Sequence, residues 1–309
     1  MKILLIVAAA LVLLLLAAAA KFFVIAFVRK KEPDINDIDA DVNSFLLPYR
    51  SVIKEGLDYI ESHPKRRVST VSFDGITLSA RYFDTGSRNT VILFHGYRSS
   101  ADRDFSCAVK MYCDAGFNVL LTDERSHGES GGRLITFGVK ESRDVITWVD
   151  YCIGLVGEDC EIFLGGMSMG ATTVLLAAGS ALPPNVKGVI ADCGFTSPED
   201  IIKKVARQAF HINASWFLPV MNLYCLIFGH FSIHGVSTVK ALEKTRLPVL
   251  FIHGKSDDFV PFEMSSAGYA SAGGEKELLL IDGAGHGMSY LLDTPKVSGA
   301  VKGFLKKYS

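Results

Sequence analysis

The sequence predicts an α/β fold, a mostly parallel eight-stranded sheet with helices on both faces. Three observations predict it. Short β-rich runs recur eight times and alternate with helical stretches, an order that gives parallel pairing with helices packed above and below the sheet. Some runs, such as VILF at 91–94 and VLFI at 249–252, are continuously apolar, as expected of central strands covered on both sides. With 309 residues, 49% hydrophobic and 21% charged, the chain can bury one large core; disorder, a collagen repeat and a disulfide-knotted mini-protein are excluded.

The N-terminus stands apart. Residues 3–20 are all apolar, Lys21 interrupts, and FFVIAFV continues over 22–28 until Arg29, Lys30 and Lys31. Spanning hydrocarbon takes about 20 helical residues, so residues 1–31 are read as a single-pass membrane anchor, with FFVIAFV as its interfacial end and the basic cluster as its stop. The alanines at 17–20 also admit a cleavable signal and a secreted product, although the apolar run exceeds the usual signal core of about 7–15 residues. The three basic residues after the run favour a cytoplasmic domain by the positive-inside rule, whereas the order of basic start and apolar run is signal-like, so the side stays open. The formal charge of -1 divides between this segment, with five basic residues and no acid, and a remainder with 27 basic against 33 acidic residues. Such a balance argues against a nucleic-acid binder. The six cysteines (Cys107, Cys113, Cys152, Cys160, Cys193, Cys225) show no C-x-x-C pair or metal-ligand spacing and are read as free thiols; an even count permits disulfides without implying them.

Residues 32–66 are read as an acidic linker followed by an amphipathic helix, and the catalytic domain as 67–309. Strands are expected at 67–73, 76–84, 90–96, 118–124, 160–166, 186–194, 247–254 and 276–283, and helices at 101–116, 140–154, 169–181, 262–273 and 289–308. One interval, about 196–245, breaks the rhythm and is rich in Phe, Ile, Leu, Trp and His. A connection that long is usually functional, which suggests a helical cap over the site; a plain buried helical layer is the alternative.

The chemistry begins where strand 160–166 ends, in Gly166-Met167-Ser168-Met169-Gly170. This is G-x-S-x-G between a strand and a helix, a turn so sharp that side chains at the glycine positions would collide. Serine is a poor nucleophile until an oriented base removes its proton. The glycine-lined loop Gly283-Ala284-Gly285-His286-Gly287 supplies a candidate base, His286, and HGKSDDFVP at 253–261 supplies an acid one strand earlier at the same sheet edge. Nucleophile, acid and base follow in the chain order of one class of serine hydrolases.

On these motifs, over about residues 67–309, the sequence resembles an α/β-hydrolase of the bacterial serine aminopeptidase and monoacylglycerol-lipase-like group. The resemblance implies that fold and, in the pattern H-G-x-x-D-x-x-V-P, makes Asp257 the triad acid, with Asp258 and Asp192 as rivals. It implies an oxyanion hole from the backbone N–H groups of Met169 and Tyr97, whose side chains are then free to line the pocket. The stretch from Asp123 to Ser130 resembles the family's D-x-R-x-H-G-x-S turn, a structural element. Four histidines (His95, His127, His253, His286) sit in His-Gly pairs, but no H-E-x-x-H accompanies them, and no metal or cofactor is expected. The resulting expectation is a carboxylesterase- or lipase-like serine hydrolase acting on a lipophilic small-molecule acyl substrate. The alternatives are an aminopeptidase, with Glu199 and Asp200 receiving a substrate amine, and a non-catalytic tethered binding protein.

Overall fold

A computed structural model describes residues 1–31 and 46–309; the acidic linker expected after the N-terminal segment lies, up to residue 45, outside the described residues. Eight strands form one sheet: β1 (Arg66–Val71), β2 (Thr77–Phe83), β3 (Asn89–Phe94), β4 (Asn118–Asp123), β5 (Glu161–Met167), β6 (Val186–Asp192), β7 (Val249–Gly254) and β8 (Lys276–Ile281). Their order is β1-β2-β4-β3-β5-β6-β7-β8. The pairs β1/β2 and β2/β4 are antiparallel and all later pairs parallel. The side chains of β3, β4 and β7 are buried almost throughout, in keeping with the apolar runs VILF and VLFI of β3 and β7.

The helices, numbered in chain order, begin with α1 (Lys2–Phe27), the apolar N-terminal segment, and α2 (Arg50–Ser62), the amphipathic helix. The layers comprise α3 (Ala101–Asp114), α4 (Glu141–Val156), α5 (Met169–Ala178), α9 (Glu263–Ser271) and α11 (Thr294–Tyr308). One face of the sheet packs on α4 and α5 through Val145, Trp148, Val174 and Ala177; the other packs on α3 and α11 through Phe105, Val109, Val301 and Phe304. α2 lies over α3, where Gly56 permits contact: a Cβ there would sit 2.2 Å from the Ser106 carbonyl oxygen.

The helix expected over 289–308 divides into α10 (Ser289–Leu292) and α11. Pro295 has no N–H to bond back into α10 but fits the first turn of a helix, and the Asp293 carboxylate accepts from Lys296 N–H, starting a new helix. Between β6 and β7 lie α6 (Pro198–Phe210), a short 3-10 turn, α7 (Leu218–Tyr224), a π-helical turn (Cys225–Gly229) and α8 (Thr238–Leu242). Ser197 caps α6 by accepting from Asp200 N–H.

α1 runs without a break through Lys21, and its two ends differ. Residues 1–14 are exposed on all sides, whereas Ala19, Phe23 and Phe27 are buried. The FFVIAFV aromatics meet protein partners: Phe22 stacks on Phe217 at 5.0 Å, and Phe27 meets Phe137 and Phe231 at 5.3 and 5.7 Å. Past the helix, Arg29 N–H donates to Arg133 O, and its guanidinium donates to Ser130 O and Gly128 O. Part of the basic cluster is thus a clasp on the domain.

The turn from Asp123 to Ser130 is fixed by a buried charge. Arg125, 1% exposed, makes two hydrogen bonds of 2.6 Å to Asp144 and bonds of 2.9 and 3.2 Å to Asp74. Burial pushes the Asp144 carboxyl up, to about 6, although Arg125 pulls the other way. Removing one partner of such a pair leaves the other buried and uncompensated. Arg125→Met is therefore expected to lose about 3–5 kcal/mol in urea unfolding, and Arg125→Met/Asp144→Leu to recover part of that loss.

Candidate active site

The G-x-S-x-G turn is shaped by close approach. A Cβ on Gly170 would lie 1.9 Å from Phe94 O, and one on Gly166 would lie 2.3 Å from Gly170 O. The first turn of α5 therefore sits directly on the end of β3, and Ser168 adopts φ 54°, ψ -112°. That left-handed conformation is strained for serine. It presents Oγ at the C-terminal edge of the sheet.

Two loops bring the other groups to the same edge. After β8, His286 places Nε2 2.9 Å from Ser168 Oγ and Nδ1 2.7 Å from Asp257 Oδ2. After β7, the Asp257 carboxylate accepts from Phe259 N–H at 3.0 Å and Val260 N–H at 2.8 Å. Behind it, the buried His253 ring has Nε2 2.8 Å from Val260 O and 3.2 Å from Asp257 Oδ2, with Nδ1 2.7 Å from Ser265 Oγ. Because the Val260 carbonyl only accepts, His253 Nε2 carries a proton there. Burial opposes ionisation of Asp257, but the hydrogen bonds from His253 and His286, the His286 charge and the Val260 N–H outweigh it and lower its pKa to about 2.

The rivals are placed elsewhere. Asp258 is exposed, and its contact to α6 is made by its backbone carbonyl, which accepts from Gln208 Nε2 at 2.8 Å. Asp192, at the end of β6, meets Ser289 Oγ at 3.4 Å, and burial pushes its pKa up to about 6. Glu199 pairs with His234, and Asp200 accepts from the Thr196 and Ser197 hydroxyls at 2.7 and 2.6 Å. Both acids serve the start of α6, where negative charge complements the helix dipole.

The loop after β3 is braced on several sides. Asp104 accepts from Gly96 N–H at 2.6 Å and from Ser99 Oγ at 2.5 Å. His127 Nε2 accepts from Arg98 N–H at 3.0 Å while its Nδ1 lies 3.0 Å from Arg125 O, an arrangement that requires neutral imidazole. Burial, followed by the neighbouring His95, holds the His127 pKa well below its ordinary value. The side chains of this loop turn toward α1: Tyr97 Oη donates to Ala26 O at 2.8 Å, and the Arg98 guanidinium donates to Ile25 O and Val28 O. Among the described residues, none accepts a hydrogen bond from Tyr97 N–H or Met169 N–H.

A cavity of about 310 Å³ opens beside Ser168 and His286 and runs between the sheet and the α3 and α11 layer. Its wall is mainly apolar, including Met111, Tyr112, Ile190, Ile252 and Val301. Tyr97 borders it, whereas no residue of the interval 196–245, expected as a cap over the site, lines this cavity; the Met169 side chain, expected to line the pocket, is fully buried in the cluster joining α1 to α6 and α7. The reason is local: residue 169 opens α5 and joins the apolar cluster that also holds Phe195 and Phe217.

Sequence reasoning overlooked Asp104, the His127 to Arg98 brace and Cys193. The last has ligand-type atoms within 4.8 Å of those of Asp257 and His286. Burial and the charges of Asp192 and Asp257 raise its thiol pKa well above the ordinary value.

A family model described as serine aminopeptidase, S33, matches residues 85–224. YqkD of Bacillus subtilis, itself uncharacterised, is 30% identical over 217 residues, covering 70% of this chain and 71% of its own length. The chain belongs to the α/β-hydrolase family. A bifunctional esterase/perhydrolase of Acinetobacter calcoaceticus is 23% identical over 257 residues, covering 70% of this α/β-hydrolase and 91% of the relative. Among solved structures, the Pyrococcus furiosus esterase Pf2001 superposes with a TM-score of 0.63 at 25% identity, covering 80% of this α/β-hydrolase and 94% of the esterase.

Folding lowers the Asp257 pKa from 3.8 to about 2, so the ionised carboxylate stabilises the fold in full above pH 3.8 and ceases to do so as pH falls toward 2. Acid titration followed by circular dichroism is expected to show a shallower loss of stability over that interval for Asp257→Asn than for the wild type. Gly170→Ala is expected to fail to give folded protein, because its Cβ meets backbone that cannot move aside.

Proposed function

We propose that this hydrolase cleaves esters of lipophilic acyl groups through an acyl-enzyme. The observation that carries the reading is the Ser168, His286, Asp257 chain of hydrogen bonds opening onto a largely apolar cavity. Ser168 Oγ attacks the ester carbonyl as His286 Nε2 takes its proton, and Asp257 stabilises the imidazolium at Nδ1. The developing oxyanion is received by the N–H groups of Met169 and Tyr97, which have no acceptor among the described residues. His286 returns the proton to the leaving alcohol, and a water deprotonated by the same imidazole releases the acid and restores Ser168. None of these steps calls for a cofactor.

The esterase relatives support an ester over an amide, and the cavity wall supports an apolar acyl chain. The family description favours an aminopeptidase as second reading. It has less support here, because Glu199 and Asp200 are engaged at the start of α6 and offer no free carboxylate for an amine. We read α1 as a retained membrane anchor: it is long and apolar enough to cross a bilayer, and the packing of residues 15–29 on the domain supports retention over cleavage.

Full-length protein in detergent is expected to react with a fluorophosphonate probe at Ser168, and Ser168→Ala is expected to lose both labelling and about 10⁶-fold in kcat. Labelling of the alanine variant would reject the nucleophile. Longer-chain p-nitrophenyl esters are expected to be preferred over acetate and over aminoacyl amides; preference for the amides would install the peptidase reading.

A further inference from the structure

The freely exposed part of α1 is too short to cross a membrane by itself. Residues 2–14 are exposed on every side, and packing against the domain starts at Leu15. At about 1.5 Å per residue the free part reaches about 20 Å, against a hydrocarbon thickness of about 30 Å. The missing 10 Å has to come from residues 15–20, just before the exposed Lys21. There α1 is already against the cap: Tyr224 Oη donates to Leu16 O at 3.1 Å, and Ala19 is fully buried.

The cap surface beside α1, from Leu16 to Phe23, is apolar and open. Phe210, Trp216, Leu223, Leu226, Ile227 and Phe228 are between 46% and 62% exposed. They belong to the segments that hold α1, since Phe210 contacts Phe22 and Phe228 contacts Phe23. An apolar patch of this kind on a soluble surface marks an interaction site.

From the helix length and this continuity we infer that the cap is seated in the bilayer. Its exposed apolar face occupies the leaflet that α1 enters on the domain side, to a depth of about 10 Å, so helix and cap together complete the span. Lys21 then lies at the headgroup boundary, where its long stem reaches water. The inference rests on the reading of α1 as an anchor and adds a second, larger contact to it. The catalytic domain stands on the membrane surface with its cap immersed.

The two tryptophans provide the test. Trp148 is 1% exposed in the domain core and Trp216 is 59% exposed on the cap. The full chain would be reconstituted in phosphatidylcholine vesicles carrying bromine at defined acyl positions. Trp216 emission, read in Trp148→Phe, is expected to be quenched most by shallow bromines, and Trp148, read in Trp216→Phe, to be unaffected. Ala9→Trp in a background lacking both is expected to be quenched most by deep bromines. Quenching of Ala9→Trp without quenching of Trp216 would overturn the seated cap and leave the anchor standing. Quenching of neither would overturn both. A detergent-solubilised dimer that shields Trp216 from bromolipid would assign the patch to a second copy and likewise overturn the inference. Leu226→Glu/Ile227→Glu is expected to lower Trp216 quenching at least twofold while hydrolysis of a soluble short-chain ester stays unchanged.

Discussion

The molecule is organised around the contact between the first turn of α5 and the end of β3. Gly170 lies so close to the Phe94 carbonyl that no side chain fits between them. The contact fixes the entry of the chain from β5 into α5, and so holds Ser168 with positive φ at the edge of the sheet. Parallel pairing then places the loops after β3, β7 and β8 at that same edge, with Asp257 and His286 on the last two. The site is a product of strand direction and of two missing side chains.

Around it the polar scaffolding relies on histidines that are not candidates for chemistry. His95 accepts from Glu124 N–H, His127 from Arg98 N–H, and His253 donates to Val260 O. A neutral imidazole donates at one nitrogen and accepts at the other, so a buried histidine can join two loop backbones that have no strand between them. Arg125, held by Asp144 and Asp74, anchors the turn that carries His127. Imidazole rings thus stiffen loops at the site, while the Arg125 charge and its carboxylates sit one layer behind.

Much of this was legible in the sequence. The eight strands and their mostly parallel order followed from continuously apolar runs alternating with helices, and one chain of hydrogen bonds joins the three residues singled out by G-x-S-x-G, H-G-x-x-D and the final Gly-His-Gly. What escaped was tertiary. Composition gave FFVIAFV the appearance of an interfacial helix end, and only the fold reveals Phe217, Phe137 and Phe231 as its partners. Asp104 and Cys193 carry no local signal, because one acts eight residues from the glycine it holds and the other matters only through the proximity of β6 to the loops after β7 and β8. The break before α11 was visible in Pro295 and is a matter of turn chemistry.

The Tyr97 and Arg98 bonds to the last carbonyls of α1 leave no swivel between that helix and the loop bordering Ser168. A headpiece on a slack tether samples all orientations; this one is keyed to its stem, and the tilt and rotation of α1 set the compass bearing in which Ser168 opens. A substrate then has to meet the hydrolase along one approach, and selection among substrates begins with how they are presented, before any contact with the cavity.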